Sequence, residues 1–184
     1  MPKTYEAPAH EYFQTPDWAV IIYLDAWAPT INPPTNILEP AAGGRALLGP
    51  LRRAWPNATI DPRDIELQPG DEGIVKQSNF WLDDAPERFD LCISNPPFSI
   101  AETFVRQSLT KVRAWGYVSM LLPLGFLCSQ ERAGFRAEVG LPLETWALAS
   151  RPSFKGNGTD SRDCGWMVWR RNAPSPEYTK LRVL

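Results

Sequence analysis

The chain has one histidine, His10, and only three cysteines, Cys92, Cys128 and Cys164, in 184 residues. No Cys or His stands at metal-ligand spacing, so no metal site is expected. Cysteines this far apart give no disulfide framework and suit a reduced, cytoplasmic setting. No stretch reaches the roughly 18 apolar residues of a membrane-spanning helix. The opening Met-Pro-Lys-Thr-Tyr-Glu lacks the charged-then-apolar order of a signal peptide. No internal repeat is visible. What is present is a 43% hydrophobic composition with eight Trp, enough to bury a core, and nineteen Pro, mostly in candidate loops. The length suits a single domain over 1–184.

The formal net charge is −2, but it is unevenly spread. Residues 1–150 carry 12 basic and 18 acidic side chains, whereas residues 151–184 carry 7 basic and 3 acidic. A basic end on an acidic body is compatible with a phosphate-binding face and equally with a solvated tail.

Residues 1–14 read as an extended arm. Thr15-Pro16-Asp17 then reads as a helix start, with Thr15 as the cap and Pro16 in the first helical position. Asp17 suits the positive end of the dipole. The helix is predicted from Trp18 to about Ala28. A short apolar strand at Asn36-Ile37-Leu38 leads through a glycine-containing turn into a helix over Arg45–Trp55. A second strand, Ala58–Asp61, ends in an acid 22 residues after Glu39. Ile74–Gln77 is a short strand candidate and Phe89–Ser94 a buried one. Ala101–Arg113 reads as a helix ended by Trp115-Gly116, Tyr117–Leu122 as a strand stopped by Pro123, and Ser129–Val139 as a helix. Thr145–Ala149 and Gly165–Arg170 are the last two strands. Helices alternating with strands, then a late strand pair, predict an α/β sheet with an antiparallel hairpin at one edge.

The stretch that carries the chemistry is Asn95-Pro96-Pro97-Phe98. Two prolines cannot donate to a sheet ladder, and both fix φ near −65°. The chain therefore leaves the strand rigidly, with Asn95 at the tip. Such a tip suits transfer to a planar amine. The amine is a poor nucleophile because its lone pair is delocalised. The Asn95 side-chain oxygen can accept one N–H and the Pro96 carbonyl the other, turning the lone pair towards an incoming group. Phe98 can stack on the planar ring that carries the amine, such as adenine with its exocyclic nitrogen. This is catalysis by positioning and electrostatics, without a covalent intermediate.

Asn95-Pro96-Pro97-Phe98 resembles the catalytic motif of class I S-adenosylmethionine-dependent amino methyltransferases. Among these the DNA adenine-N6 enzymes, including small phage-borne forms, are the nearest in pattern. The resemblance covers nearly the whole chain. It implies a Rossmann-like class I methyltransferase sheet with helices on both faces and a C-terminal antiparallel hairpin. Thr15-Pro16 resembles the motif that closes over the methionine end of the cofactor. Glu39-Pro40-Ala41-Ala42-Gly43 resembles the cofactor turn, acid-Pro-x-x-Gly-x-Gly, with Arg45 where the second Gly is usual. Glu39 would then lie near the cofactor's ammonium and sulfonium. Asp61, with Asp64 as the fallback, would take the ribose hydroxyls. Asn79 and Phe80 would meet the adenine, and Asn95 would border the cofactor as well as the substrate.

The polar, basic loop at 151–164 resembles the segment whose aromatic touches a flipped base opposite Phe98. Phe154 is the candidate, against a role as core anchor for the hairpin. Arg151, Lys155 and Arg162 are candidates for phosphates, and the loop is expected to be mobile without substrate. The implied activity is methyl transfer from S-adenosyl-L-methionine to adenine N6 in DNA, with the base flipped out of the helix. RNA is the alternative nucleic acid. Cytosine N4, guanine N2 and protein glutamine are amines that the same motif serves. A non-catalytic nucleic-acid-binding module is the reading from another class. The length leaves no room for a large target-recognition domain, so short or relaxed specificity, or a partner that supplies it, is expected.

Overall fold

The structure is a computed structural model and describes residues 14–82, 88–154 and 162–184. Its strands are β1 (Asn36–Glu39), β2 (Thr59–Asp64), β3 (Lys76–Gln77), β4 (Phe89–Ser94), β5 (Val112–Pro123), β6 (Glu144–Ala147), β7 (Cys164–Arg170) and β8 (Lys180–Val183). Its α-helices are α1 (Asp17–Trp27), α2 (Leu48–Ala54), α3 (Ala101–Lys111) and α4 (Ala133–Val139). The strands form one eight-stranded sheet in the order β3-β2-β1-β4-β5-β7-β6-β8. Only β7 runs against its neighbours, β5 and β6.

All six residues of β4 are buried. A strand in mid-sheet with both faces covered needs such a continuous apolar run. Helix α1 covers one face with Ala19, Val20, Tyr23, Leu24 and Trp27, all buried at helical spacing. The Tyr23 hydroxyl lies 2.7 Å from Ser119 Oγ of β5, and its ring stacks on Trp166 of β7 at 4.7 Å. The Trp166 indole N–H donates to the Ala19 carbonyl at 3.0 Å. Side chains alternate along a strand, so Trp169 lies on the face opposite Trp166. There it meets Phe135 of α4, ring centroids 6.4 Å apart. Trp27 and Trp55 join α1 to α2, and an Arg106–Glu138 ion pair of 2.9 Å joins α3 to α4. Helices therefore cover both faces, as expected.

At the amino end of the central strands one carboxylate fixes the junction. Asp90 Oδ2 accepts from the Thr35 N–H and hydroxyl, both at 2.7 Å, and from Asn36 N–H at 3.0 Å. Burial pushes the Asp90 carboxyl up, but these hydrogen bonds and the Arg113 charge outweigh it and hold it below its ordinary range.

Several local expectations are corrected. Pro16, not Thr15, is the N-cap of α1, and no side chain caps that helix. Helix α2 starts at Leu48 rather than Arg45, because the turn continues through Gly43 at φ 46° and Arg45 at φ 64°. Strand β2 runs on through Pro62 to Asp64; its outer neighbour β3 pairs only with Arg63 and Asp64, so Pro62 lies where β2 is still an edge. Helix α3 stops at Lys111, and β5 begins at Val112. Residues 113–116 bulge between the register pairs Phe89–Val112 and Leu91–Tyr117. Gly116 is required there, since a Cβ would come within 2.9 Å of the Arg113 carbonyl. The hairpin is formed by β6 and β7, but it is not the sheet edge: β8 adds in parallel to β6 beyond it.

Among the described residues no helix is long and apolar enough to cross a membrane, and no cluster of His, Cys, Asp or Glu could hold a metal ion.

Candidate active site

Strands β1 and β4 are neighbours, yet the chain leaves β1 towards β2 and leaves β4 towards β5. The loops after their carboxyl ends diverge and open a crevice, the usual ligand position in such sheets. A cavity of about 480 Å³ lies there. Its walls include the turn 39–44, Asp64 at the end of β2 with Ile65 and Glu66 beyond it, Ser78 to Trp81, and Asn95 and Pro97 after β4, with Thr15 in front of α1.

Glu39 ends β1 and is fully buried. Neither carboxylate oxygen has a hydrogen-bond partner among the described residues. Burial, and then the nearby Asp64 charge, push its carboxyl well above the ordinary range. A buried acceptor without a partner costs about 1–3 kcal/mol. Its place in the cavity wall therefore fits a ligand that brings a cation or N–H donors.

The glycine turn faces it. The Gly43 N–H donates to Asp64 Oδ2 at 2.7 Å, and Ala42 N–H to the Arg63 carbonyl at 2.8 Å. Asp64 Oδ1 accepts from Glu66 N–H at 3.0 Å. Asp64, the fallback acid, thus stands at the carboxyl end of β2 on the cavity wall. Asp61 does not, because β2 continues three residues beyond it. Its carboxylate instead takes Arg63 Nη2 at 2.6 Å and Arg88 Nη2 at 3.0 Å. Burial raises the Asp61 carboxyl, but the hydrogen bond and charge of Arg63, with Arg88 and Lys76, hold it below its ordinary range.

Asn95 is half-buried at the tip after β4, and its side-chain N–H donates to Thr15 Oγ1 at 3.0 Å. The hydroxyl expected to cap α1 therefore orients the amide, with the amide's nitrogen committed to Thr15. Pro96 is buried, and the Pro97 carbonyl accepts from Ile100 N–H at 3.2 Å, closing the 3-10 turn Phe98–Ile100. Pro40 and Ala41 line the cavity, whereas Pro16 accepts from Ala19 N–H within α1. Asn79 and Phe80 are also in the wall; Asn79 Oδ1 accepts from Trp81 N–H at 3.0 Å, and Phe80 stacks on Phe104 at 5.1 Å.

Phe98 and Phe154 come together, both buried, edge to face with centroids 5.7 Å apart. With their planes 79° apart, these rings do not present two parallel faces between which a base could stack. Arg151 pairs with Asp163 at 2.7 Å, which raises its guanidinium, and Arg162 is exposed. Lys155 lies outside the described residues, as do His10 and most of the basic loop. Sequence reasoning missed Glu66 and Gln68 in the wall, and the Arg45–Asp71 contact behind it. Read as a polar loop, 65–73 offered only the Pro69-Gly70 turn as a signal.

The fold is that of the class I S-adenosylmethionine-dependent methyltransferases, as the sequence resemblance implied. A Listeria monocytogenes protein assigned to that class superposes with a TM-score of 0.72 at 15% identity, over 96% of this chain and 68% of that one. The type I restriction-modification methyltransferase subunit of Streptococcus thermophilus gives 0.66 at 15% identity, over 88% of this chain and 45% of that one. The N-methyltransferase NodS of Bradyrhizobium japonicum WM9, in complex with S-adenosyl-L-homocysteine, gives 0.59 at 13% identity over 90% and 94%. In sequence the chain is similar to the type II methyltransferase M.CvrRI of Paramecium bursaria Chlorella virus XZ-6E, 28% identical over 166 residues. That match covers 75% of this chain, which spans 43% of the relative's length. No family profile matches the chain.

Proposed function

We propose that the chain transfers a methyl group from S-adenosyl-L-methionine to the N6 amino group of adenine in DNA. The observation that carries this reading is that Asn95, the amine-acceptor tip, and Glu39, a buried carboxylate without a partner, open on one cavity. The similarity to M.CvrRI, a type II methyltransferase, and to a type I restriction-modification subunit favours DNA as the substrate. The reaction would take place in the cytoplasm of a bacterial or phage-infected cell.

S-adenosylmethionine, when bound, supplies the activated methyl group. Glu39 faces its cationic end and is the group whose desolvation a cation relieves. The Gly43 turn lets backbone approach closely. Asp64 is the acid for the ribose hydroxyls, and Asn79 and Phe80 flank the adenine side. Asn95 Oδ1 and the Pro96 carbonyl accept the two hydrogens of the target amine, which directs its lone pair at the methyl carbon. Thr15 holds the Asn95 amide in that orientation. The base enters after flipping out of the duplex. Phe98 and Phe154 must separate from their edge-on contact for the base to stack between them. Arg151, Lys155 and Arg162 are the candidate phosphate contacts.

The test is tritiated methyl transfer from S-adenosylmethionine to DNA, RNA and protein in parallel, followed by nucleoside analysis. N6-methyladenine in DNA is the expected product. Label only in RNA, or only in glutamine, would refute the substrate; no label with retained cofactor binding would refute catalysis.

A further inference from the structure

We infer that Arg45 is a positioning residue for the cofactor, latching the glycine turn after β1 to the loop after β2 so that both walls of the cavity are preformed. The inference rests on the reading of that cavity as the S-adenosylmethionine site.

Arg45 occupies a left-handed backbone conformation, φ 64°, in a turn whose other left-handed residue is Gly43 at φ 46°. Glycine takes such a conformation without a Cβ clash, whereas arginine is strained there. A strained residue persists where its surroundings over-determine it. Here the surroundings are explicit. Arg45 Nε lies 3.1 Å from Asp71 Oδ1, and Nη1 donates to the Gly70 carbonyl at 2.7 Å. The turn itself is closed by Arg45 N–H to the Ala42 carbonyl at 2.8 Å.

Asp71 is an unusual partner for a loop. It is fully buried, and its other oxygen, Oδ2, accepts from Gln68 N–H at 2.7 Å. Its own N–H returns to the Gln68 carbonyl at 3.0 Å, and its carbonyl accepts from Ile74 and Val75. The guanidinium therefore ties the turn to an ordered knot that fixes Gln68. Gln68 lines the cavity on one side, and Gly44 and Ala46, the two neighbours of Arg45, line it on the other. Besides the latch, the Gly43–Asp64 bond and the Ala42–Arg63 bond join these walls. A preformed site loses less ordering entropy on binding. The arginine thus exchanges backbone ease for a rigid pocket.

Arg45→Gly tests this directly, because glycine keeps the turn and removes the latch. Binding of S-adenosylhomocysteine is measured by calorimetry, alongside melting curves and steady-state kinetics. Arg45→Gly should raise Kd about tenfold, about 1.4 kcal/mol. Its Tm should fall by no more than about 8 °C, since the loss of the cation beside the Asp71 carboxylate is partly offset by relief of the strained turn, and the loss of binding should appear in the cofactor KM with kcat at saturation within about twofold. Arg45→Lys keeps the charge facing Asp71 and should recover all but about threefold of the affinity. Asp71→Asn should match Arg45→Gly, and the double variant should lose no more than either. Unchanged affinity in Arg45→Gly, additive losses in the double variant, or a fall in kcat at unchanged KM would overturn the latch. A wild-type protein that fails to bind S-adenosylhomocysteine would overturn the methyltransferase reading on which it rests.

Discussion

Replacing Glu39 by glutamine should strengthen the free protein and weaken the liganded one, and pH should separate the two effects. Glu39 is fully buried with both oxygens unpartnered, and burial and Asp64 raise its folded-state pKa. The unfolded value is about 4.3. The folded state therefore holds its proton where the unfolded state releases it, and the associated stability is complete below that value. It falls as pH rises towards the raised folded pKa. Glutamine carries no such cost, so the Tm of free Glu39→Gln should exceed the parent's increasingly as pH rises through this window. Ligand binding works the other way. A cationic ligand favours the carboxylate, so binding should expel the Glu39 proton. The Kd for S-adenosylmethionine should then fall by up to about tenfold per pH unit within the window, equivalent to about 1.4 kcal/mol per unit. A charge-assisted interaction of about 1.5–3 kcal/mol makes the expected loss in Glu39→Gln about 10- to 150-fold at the alkaline end. Calorimetry in buffers of different ionisation heat reports the released proton. A Kd flat as pH rises above the unfolded value, with no proton release, or the same pH slope in Glu39→Gln, would refute the reasoning.

Asn95→Ala should abolish methyl transfer with cofactor Kd nearly unchanged; turnover retained within about tenfold, roughly 1.4 kcal/mol of barrier, would remove Asn95 from the mechanism. Asp64→Ala should raise the cofactor Kd by about 1.5–3 kcal/mol, whereas Asp61→Asn should leave it alone. Asp61 has a lowered folded pKa, so its stabilisation is present above its unfolded value of about 3.9 and is lost as pH falls through the folded one; melting curves should show Asp61→Asn destabilised at neutral pH and converging with the parent in acid. Phe154→Ala should lower kcat/KM by the equivalent of about 1–3 kcal/mol of base stacking with an unchanged salt dependence; a lowered Tm with normal activity per folded molecule would make Phe154 a core residue only.

Much of the architecture was legible because it rests on local signals. The apolar run of β4, the stop at Pro96-Pro97 and the spacing of buried residues in α1 are properties of consecutive residues. The errors came where distant parts of the chain decide. Helix α3 loses Val112 and Arg113 to the sheet because Arg171 Nη1 holds the Val112 carbonyl at 2.7 Å and Arg170 Nε that of Trp115 at 3.0 Å. Strand β8 alternates polar and apolar residues over Lys180–Val183, but all four are exposed and the strand exists through backbone pairing to β6; four alternating residues are too short a signal to single out. Asp61 and Asp64 differ only in where β2 ends, and that depends on β3. Thr15 reads as a cap from its neighbours; only the fold brings Asn95 to it.

The Asp90 clamp has a kinetic consequence. It joins Thr35 to a residue 55 positions later, at one end of the β1–β4 seam, while Glu39 and Asn95 stand at the other. Closing so long a loop delays a contact, and parallel pairings of this kind form slowly. The pocket therefore cannot exist until β1 and β4 have paired. During refolding, helical signal should recover first and ligand capture last. Slowing the seam with Asp90→Ala should widen the interval between them.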